Sequence, residues 1–345
     1  MAKASPALEK PDRPDEASAA SDEAWALQDV SLRPTSLAEF IGQEDAKKSL
    51  RLAIGAAKQR GEMPDHILFS GPPGLGKTTL AAIIAAELQT YFRQTSAPAV
   101  GRPGDMAAIL TAVESGMVLF LDEIHRLSAP TSELLYTAME DFAMDLMVGD
   151  GERGRAVRID LPRFTLVGAT TRSGALPGPL LDRFGISIRL DYYTTDELLQ
   201  ILERDVGLLG IVCDRQALAL LACRARGTPR IAKKLLRRAR DWAQMEAGGR
   251  LDIRGVEACL AHIGIDALGL DAQDRRYLAY LAVRMRGRPV GIGTIAAALA
   301  EDPVTIESVV EPYLLKIGFL QRTPRGRVVT PDAIEHLKPT LGKVA

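Results

Sequence analysis

The segment SGPPGLGKTTLAAIIAAEL, residues 70–88, restricts the fold of this chain more than any other part of the sequence. A short apolar run, residues 66–71, precedes the loop and ends in glycine, which predicts a buried strand. The apolar residues after the loop are spaced as in an amphipathic helix. Glycines between the two let the chain fold back, so that backbone N–H groups converge beside the positive end of a helix dipole. Such a strand–loop–helix junction is suited to bind an anionic phosphate chain.

The spacing of the loop residues narrows this prediction to a nucleoside triphosphate. Gly71, Gly76, Lys77 and Thr78 fit the pattern G-x-x-x-x-G-K-[ST]. The lysine supplies a mobile charge for the β- and γ-phosphates, and the threonine hydroxyl reaches Mg²⁺. A glycine–proline loop with a solvated lysine is the alternative, but it leaves the flanking strand and helix unexplained. The predicted ligands in this loop are Gly74, Gly76, Lys77, Thr78 and Thr79.

Two further strand ends carry polar groups. In VLFLDEIHRL, residues 118–127, Asp122 and Glu123 follow an apolar run, and buried neighbours of like charge are costly unless a cation or a reaction uses them. Beside a phosphate loop, Asp122 is predicted to hold Mg²⁺ and Glu123 to activate the attacking water. A solvated acidic turn is the other interpretation. In FTLVGATTR, residues 164–172, Thr171 either hydrogen-bonds the γ-phosphate or merely marks the end of a strand.

Two arginines are candidates for the positive charge that stabilises a transferring phosphoryl group. Arg183 lies on a short turn in GPLLDRFG, residues 178–185, and such a finger can come from a neighbouring subunit. Arg230 lies in the first turn of the helix that GTPRIAKKLL, residues 227–236, predicts. An ordinary solvated surface residue is the alternative for Arg183.

The order of the predicted elements divides the 345-residue chain into three domains between two tails. Strands that alternate with helices over residues 31–193 predict an α/β domain with a parallel sheet and a site at the carboxyl ends of its strands. Residues 194–265 predict a small all-helical domain, and residues 266–338 predict three helices followed by a two-stranded wing. The tails are residues 1–30, whose Ala, Ser, Pro and acidic residues predict disorder, and residues 339–345.

Composition and charge exclude several classes of protein. The net charge of −1 means that any nucleic-acid surface must be local, and a hydrophobic fraction of 47% is typical of a globular protein. No apolar run reaches about 18 residues, and the first residues lack the apolar core of a signal peptide, so we predict a cytoplasmic protein without a membrane span. The three cysteines and four histidines show no metal-ligand spacing.

Taken in order, the phosphate loop, the D-E strand, the threonine strand, the D-R-F turn and the G-T-P-R helix resemble the AAA+ ATPases. Longer segments, such as LRPTSLAEFIGQE and EPYLLKIGFLQRTPRGRVVTP, closely resemble the RuvB family of bacterial Holliday junction branch-migration motors. The resemblance extends over roughly residues 31–338. It implies an AAA+ parallel-sheet domain, a helical lid and a C-terminal winged helix, with ATP and Mg²⁺ as cofactors.

The resemblance also implies roles for individual residues. The Walker A, Walker B, sensor 1, arginine-finger and sensor 2 positions correspond, in order, to Lys77, Thr78, Asp122, Glu123, Thr171, Arg183 and Arg230. The residues implied to lie near the adenine are Leu32, Arg33, Glu140, Asp141, Phe142 and Tyr193.

Partners are implied in the same way. They are the duplex arms of a four-way DNA junction, further copies of the chain in a hexameric ring, the protein RuvA and the resolvase RuvC. RuvA is implied to bind a hairpin around residues 142–160. Within that hairpin, VGDGERGRAVRI departs from the family because it carries extra arginines where small residues are usual.

A local basic cluster is the candidate DNA interface. The predicted wing contains RTPRGR, and neither an aromatic residue nor an Asn or Gln is placed to read bases, which fits contact with phosphates of any sequence. A solvated charged hairpin is the alternative. The predicted DNA contacts are Arg288, Arg322, Arg325 and Arg327.

Two other functions share part of this plan. An ATP-gated DNA-binding switch, of the origin-recognition or clamp-loading kind, would combine the same domains without translocation. A protein unfoldase would be expected to carry an aromatic pore loop and a protein-docking domain, and the sequence shows neither. ATP-driven strand exchange on a junction separates the motor from the switch, and the polymer that stimulates ATP hydrolysis separates it from the unfoldase.

Overall fold

The computed structural model of the chain describes residues 32–148, 155–246 and 248–341. The chain divides into two compact units, Met1–Pro34 and Thr35–Ala345, and the elements below belong to the second. The predicted tail 1–30 lies outside the described residues. The beginning of the other predicted tail, residues 339–341, is the end of a helix.

The strands of the amino-terminal part form one sheet and one separate hairpin. In chain order they are β1 Ile67–Ser70, β2 Phe92–Ser96, β3 Val118–Asp122, β4 Ala143–Val148, β5 Arg155–Asp160, β6 Thr165–Thr170 and β7 Ile186–Arg189. The sheet is parallel throughout, in the order β2-β3-β6-β1-β7. All six residues of the central strand β6 are buried, as expected for a parallel sheet with both faces covered. The antiparallel pair β4–β5 is the hairpin.

Helices pack on this sheet and form its core. They are α1 Glu44–Arg60, α2 Lys77–Leu88, α3 Pro103–Thr111, α4 Ala129–Glu140 and α5 Gly178–Asp182. The strand residues Phe69 and Phe120 are fully buried in one cluster with Leu80 and Ile84 of α2. Burial of side chains of this size contributes roughly 1.5–3 kcal/mol each, so the helix that follows the phosphate loop is anchored firmly to the sheet.

Four helices follow the sheet. They are α6 Thr195–Leu209, α7 Arg215–Arg224, α8 Pro229–Glu246 and α9 Ile253–His262. Thr194 begins the first of them, because its side chain accepts from the N–H of Glu197 while the Glu197 carboxylate accepts from the N–H of Thr194. Leucines and alanines on the inward faces of these helices join the core of the sheet.

The carboxyl-terminal part has its own core and ends in a wing. Its elements are α10 Ala272–Ala279, α11 Ile292–Leu299, α12 Pro303–Thr305, α13 Glu311–Lys316, β8 Leu320–Thr323, β9 Gly326–Val329 and α14 Pro331–Leu341. A π-helical stretch, Ile306–Val310, joins α12 to α13 in one helical run. Gly326 turns the wing at φ 130°, and a Cβ there would lie 2.3 Å from the carbonyl oxygen of Val290, so only glycine fits.

No helix among residues 32–148, 155–246 and 248–341 is long and apolar enough to cross a bilayer.

Candidate nucleotide site and DNA surface

The loop between β1 and α2 has a backbone that only glycine can provide at three positions. Gly71, Gly74 and Gly76 all have positive φ, at 136°, 79° and 101°. A Cβ on Gly71 would lie 2.4 Å from the carbonyl oxygen of Leu190. A Cβ on Gly76 would lie 3.1 Å from the ring of Phe40. The glycines therefore let the loop curl back onto its own strand, which is the cradle that a phosphate chain needs.

Lys77 begins α2 and lies inside this loop. Its ammonium donates hydrogen bonds of 2.8 Å to the carbonyl oxygens of both Gly71 and Pro72, and the residue is only 7% exposed. Burial lowers the pKa of Lys77 to about 8, against the opposing effect of the Asp122 and Glu123 carboxylates. Two neutral carbonyls thus hold the charge, and an anionic phosphate would be a stronger partner than either. Thr78 and Thr79 follow in the first turn of α2 and are half-buried.

The predicted carboxylates lie at the same edge of the sheet as the loop. Asp122 ends β3, and Glu123 turns the chain with a left-handed φ of 53°. An oxygen of Asp122 accepts from the N–H of Glu123 at 2.9 Å. Left-handed backbone is uncommon outside glycine and costs about 1 kcal/mol or more. This turn therefore presents Glu123 at a fixed position beside the phosphate loop.

Sequence reasoning missed His125, which contacts Glu123, and Thr170, which contacts His125. His125 places its Nε2 3.4 Å from a Glu123 oxygen, and its Nδ1 lies 3.0 Å from the hydroxyl of Thr170. Burial lowers the pKa of His125, although Glu123 opposes this shift, so the contact is a hydrogen bond more than an ion pair. Thr170 is fully buried at the end of β6. The only signal in the sequence is a histidine two residues after the D-E pair.

Thr171 lies one residue beyond β6 and is half-buried. Because β6 lies between β3 and β1, this position is between the strand of the carboxylates and the strand of the phosphate loop, and its contact with the γ-phosphate stays a prediction.

The helical part of the chain contacts the loop from the other side. The backbone N–H of Arg230 donates to the carbonyl of Gly74 at 3.4 Å, and a Cβ on Gly74 would lie 2.8 Å from a methyl carbon of Thr228. The guanidinium of Arg230 contributes to the lowered pKa of Lys77, so the two cations face one region. The buried Tyr193 donates from its hydroxyl to the carbonyl of Leu75 at 3.1 Å, and burial raises its pKa. The structure thus brings Arg230 and Tyr193 to the loop.

Four predicted nucleotide residues lie elsewhere: Glu140, Asp141, Phe142 and Arg183. Arg183 precedes β7, whose first residue is level with Ile67 at the amino end of β1. Phe142 packs against His66, just before β1, with ring centroids 6.0 Å apart. A parallel strand rises about 3.3 Å per residue. The length of β1 therefore separates this edge of the sheet from the phosphate loop by roughly 10 Å or more. Glu140, Asp141 and Phe142, implied to lie near the adenine, are therefore away from the phosphate loop of their own chain, and the position of Arg183 is compatible with its predicted role as a finger for a neighbouring subunit.

Arg183 and Glu140 form an ion pair at that far edge. The Arg183 Nε is buried without a hydrogen-bond partner among the described residues. Asp141 next to them accepts from Arg158 of β5 at 3.0 Å. The adenine contacts of Glu140, Asp141 and Phe142 were implied by the family resemblance alone, and sequence order cannot show to which end of a sheet a turn belongs.

Leu32 and Arg33 belong to the unit Met1–Pro34, which is described by itself. Their contact with adenine stays a prediction.

The metal prediction rests on few ligands. No group of three or more His, Cys, Asp or Glu is placed to hold a metal ion within the part of the chain that the structure describes. Thr78 and Asp122 offer a hydroxyl and a carboxylate at the loop edge. Mg²⁺ prefers oxygen ligands, keeps several waters and is usually held by one or two carboxylates together with substrate phosphates. The two residues fit that pattern.

The wing divides the predicted DNA contacts into two kinds. Arg325 at its turn and Arg288 beside it are exposed. Arg327 is instead paired inward, with hydrogen bonds of 2.8 Å to Glu311 and 2.6 Å to Glu307, and its side chain is 14% exposed. Arg322 also donates to Glu311 at 2.8 Å, with 46% of its side chain exposed. The carboxylate of Glu311 is fully buried, and a buried charge is costly unless cations pair with it. Arg327 is therefore occupied by this pairing, and the prediction that it is a free phosphate ligand is corrected.

Three family models match the chain in succession. They are the Holliday junction DNA helicase RuvB P-loop domain over residues 32–190, the RuvB AAA lid domain over residues 193–266 and the RuvB C-terminal winged helix domain over residues 267–338. These matches, together with the parallel sheet, confirm the predicted fold class.

Two solved structures extend the comparison. The chain is 51% identical to the Thermotoga maritima RuvB Holliday junction branch migration motor; the match covers 89% of this chain and 98% of that one, with a TM-score of 0.82. A more distant match is the Aeropyrum pernix Orc1 protein in complex with DNA, at 19% identity over 91% of this chain and 97% of that one, with a TM-score of 0.51. The second match shows a likeness of fold alone.

Proposed function

The chain belongs to the RuvB family of Holliday junction DNA helicases, and from this membership we propose that it hydrolyses ATP in pockets shared between neighbouring subunits of a ring. It is a nucleotide-binding branch-migration motor that acts on DNA junctions. The observation that carries the shared pocket is the division of the predicted nucleotide residues between the two edges of the sheet.

One half of the pocket is the phosphate-loop edge. Lys77 exchanges the carbonyls of Gly71 and Pro72 for phosphate oxygens, since a charged acceptor forms the stronger hydrogen bond. Thr78 and Asp122 would hold Mg²⁺, which supplies charge neutralisation on the phosphates when it is bound. These ligand roles rest on the oxygen donors at the loop edge and on the spacing of the motif.

The same edge carries the groups that act on water. Glu123, fixed by its left-handed turn and by His125, orients the attacking water and accepts its proton. Thr171 is placed between Glu123 and the loop, where its hydroxyl can hydrogen-bond the γ-phosphate or that water. Arg230 and Tyr193 close the loop from the helical side.

The other half of the pocket is the far edge, presented to the next subunit. Arg183 supplies the finger, and its buried Nε, unpartnered among the described residues, marks a donor that a neighbouring phosphate can satisfy. Glu140, Asp141 and Phe142 lie beside it, so they would meet the neighbour's nucleotide as part of the same surface. A single subunit holds both halves but cannot bring them together.

The ring and the partner proteins complete the proposal. We assign a hexamer, with RuvA on the β4–β5 hairpin and RuvC in the complex that resolves the junction. Val157 of β5 is 43% exposed and gives that hairpin an apolar contact residue. The loop between the strands, residues 149–154, lies outside the described residues.

Dissociation of a synthetic four-way junction tests this function. Purified protein with ATP and Mg²⁺ should separate the junction into duplex products, and addition of RuvA should increase the rate. Linear duplexes of the same sequence should stimulate ATP hydrolysis without change in their strand composition.

Glu123→Gln is the matched control, because it keeps the size of the side chain and removes its charge. This variant should bind ATP and junction but release no product. Dissociation that proceeds equally well without ATP, or equally well in Glu123→Gln, would contradict the proposal.

A further inference from the structure

A chain of polar contacts connects the water-activating carboxylate to the winged helix. Arg172, two residues after β6, lies in the middle of this chain of contacts. Its backbone N–H donates to the hydroxyl of Thr170 at 3.0 Å, and its guanidinium forms an ion pair with Glu307 of the winged helix. One residue thus joins the end of the central strand to a separate domain.

Toward the nucleotide, the contacts are short and mostly buried. Thr170, which is fully buried, also meets Nδ1 of His125 at 3.0 Å. His125 in turn lies 3.4 Å from Glu123. Arg172 therefore binds the same hydroxyl that contacts the histidine, and the histidine contacts the carboxylate.

Toward the DNA surface, the contacts end in the wing. The second oxygen of Glu307 accepts from Arg327 of β9 at 2.6 Å, and Arg327 donates to the buried Glu311 at 2.8 Å. Arg322, opposite Arg327 on β8, donates to the same Glu311 at 2.8 Å. The wing strands are therefore linked to Glu307 directly by Arg327 and indirectly through Glu311.

Buried contacts fix the winged helix to the lid. Arg226, just before α8, has a side chain that is 9% exposed and lies 2.5 Å from Asp274 of α10. It also donates to the carbonyl of Gly269 at 2.6 Å. Glu307 thus belongs to the part of the chain that is fixed to the lid, whereas Arg172 directly follows the central strand, and their ion pair connects the two parts.

We propose that Arg172 and Glu307 are a positioning pair through which the winged helix and lid set the orientation of Glu123. The pair rests on the proposed function, since it regulates the same hydrolytic site. Side chains of Arg172 and Glu307 are 39% and 28% exposed, and partly exposed ion pairs contribute little to folding stability. The pair is therefore expected to affect turnover without a matching loss of stability.

The test is a double-mutant cycle with Arg172→Gln and Glu307→Gln. Arg172→Gln removes the ion pair but keeps the backbone N–H that binds Thr170. We expect kcat for ATP in the presence of duplex DNA to fall by roughly 2- to 30-fold, as for residues that carry coupling between sites. KM for ATP should stay within about twofold, and the double variant should fall no further than the single variants.

Arg172→Lys and an unrelated ion pair supply the controls. Arg172→Lys keeps the charge and should restore most of the DNA-dependent turnover. Arg250→Gln breaks the exposed pair with Asp214, 2.7 Å apart within the helical part, and should leave turnover unchanged.

Unchanged DNA-dependent turnover in Arg172→Gln would overturn the proposal. So would additive effects in the double variant, or parallel losses of kcat and thermal stability. Absence of ATP hydrolysis in the unaltered protein would instead contradict the proposed function, so the two failures are distinguishable.

Discussion

Replacement of Arg288 and Arg325 by alanine is expected to weaken DNA binding, because it removes two cations that bind phosphates. Both side chains are exposed at the wing, so each is free to neutralise one phosphate. Each phosphate of duplex DNA that is no longer neutralised lowers the slope of log K against log salt by about 0.9, so the double variant should reduce the slope by about 1.8. The reduction should be the same for unrelated sequences, since phosphate binding carries no base information.

Arg327→Ala is the matched change on the same hairpin. Its guanidinium is occupied by Glu311 and Glu307, so this variant should keep the salt slope. It should instead lose stability, because the fully buried Glu311 is left with Arg322 and the hydroxyl of Tyr277. Removal of hydrogen bonds to a charged group costs about 1.5–3 kcal/mol.

Fluorescence anisotropy on two unrelated duplexes, between about 50 and 200 mM salt, measures the slopes. Urea unfolding followed by circular dichroism measures the stability. An unchanged slope in the Arg288 and Arg325 variant would show that these arginines merely solvate the surface. A slope lowered by about 0.9 in Arg327→Ala would show that DNA draws Arg327 away from Glu311, and weaker binding to one duplex only would indicate base reading.

Three further outcomes follow from the site and from the domain contacts. Glu123→Gln should lower ATP turnover by about 10²–10⁴-fold with ATP affinity nearly unchanged, and turnover within about threefold of the unaltered protein would refute its role. Arg183→Ala should bind ATP without hydrolysis, and mixing with Lys77→Ala should restore part of the activity; verified mixed rings without any recovery would exclude a shared pocket. Burial raises the pKa of Asp274 to about 6 from 3.8, so the folded state binds its proton more tightly and stability falls as pH rises between about 4 and 6. Asp274→Asn cannot titrate at this position, so its free energy of unfolding should not show this fall. Urea unfolding should therefore show that the free energy of unfolding of the variant, minus that of the unaltered protein, increases between about pH 4 and 6 by up to about 3 kcal/mol. A difference that decreases would show that the attraction of Arg226 outweighs burial.

The sequence predicted the phosphate-loop edge well because each of its parts is local. A motif such as Gly76-Lys77-Thr78 needs only its own strand and helix, and both are readable from apolar spacing. Asp122 and Glu123 follow an equally clear buried strand. Parallel strands end at one edge, so the topology brought these residues together without further information.

The far edge and the wing could not be predicted because they depend on non-local arrangement. Arg183 was predicted as a finger for a neighbouring subunit, but only the sheet topology shows that it precedes the amino end of β7. The sequence predicted that Arg327 is one of the basic residues that contact DNA. In the structure its guanidinium donates to Glu307 and Glu311, which are four residues apart in one helical run. Charge counts along a chain do not show which charges neutralise each other. His125 and Thr170 were missed for a similar reason, because 45 residues separate them.

The separation of the two half-sites gives a reason for the lid to carry the winged helix. Closure of the pocket on a nucleotide must involve the start of α8, since Arg230 and Thr228 contact Gly74 there. Arg226, just before α8, is buried and forms an ion pair with Asp274 of the winged helix domain. Under the proposed function we therefore expect the DNA-binding domain to follow the start of α8 when the pocket closes or opens. If Arg183 completes the pocket of a neighbour, as we propose, hydrolysis at one interface would reposition one subunit's winged helix relative to the adjacent sheet, and that relative displacement would move a duplex.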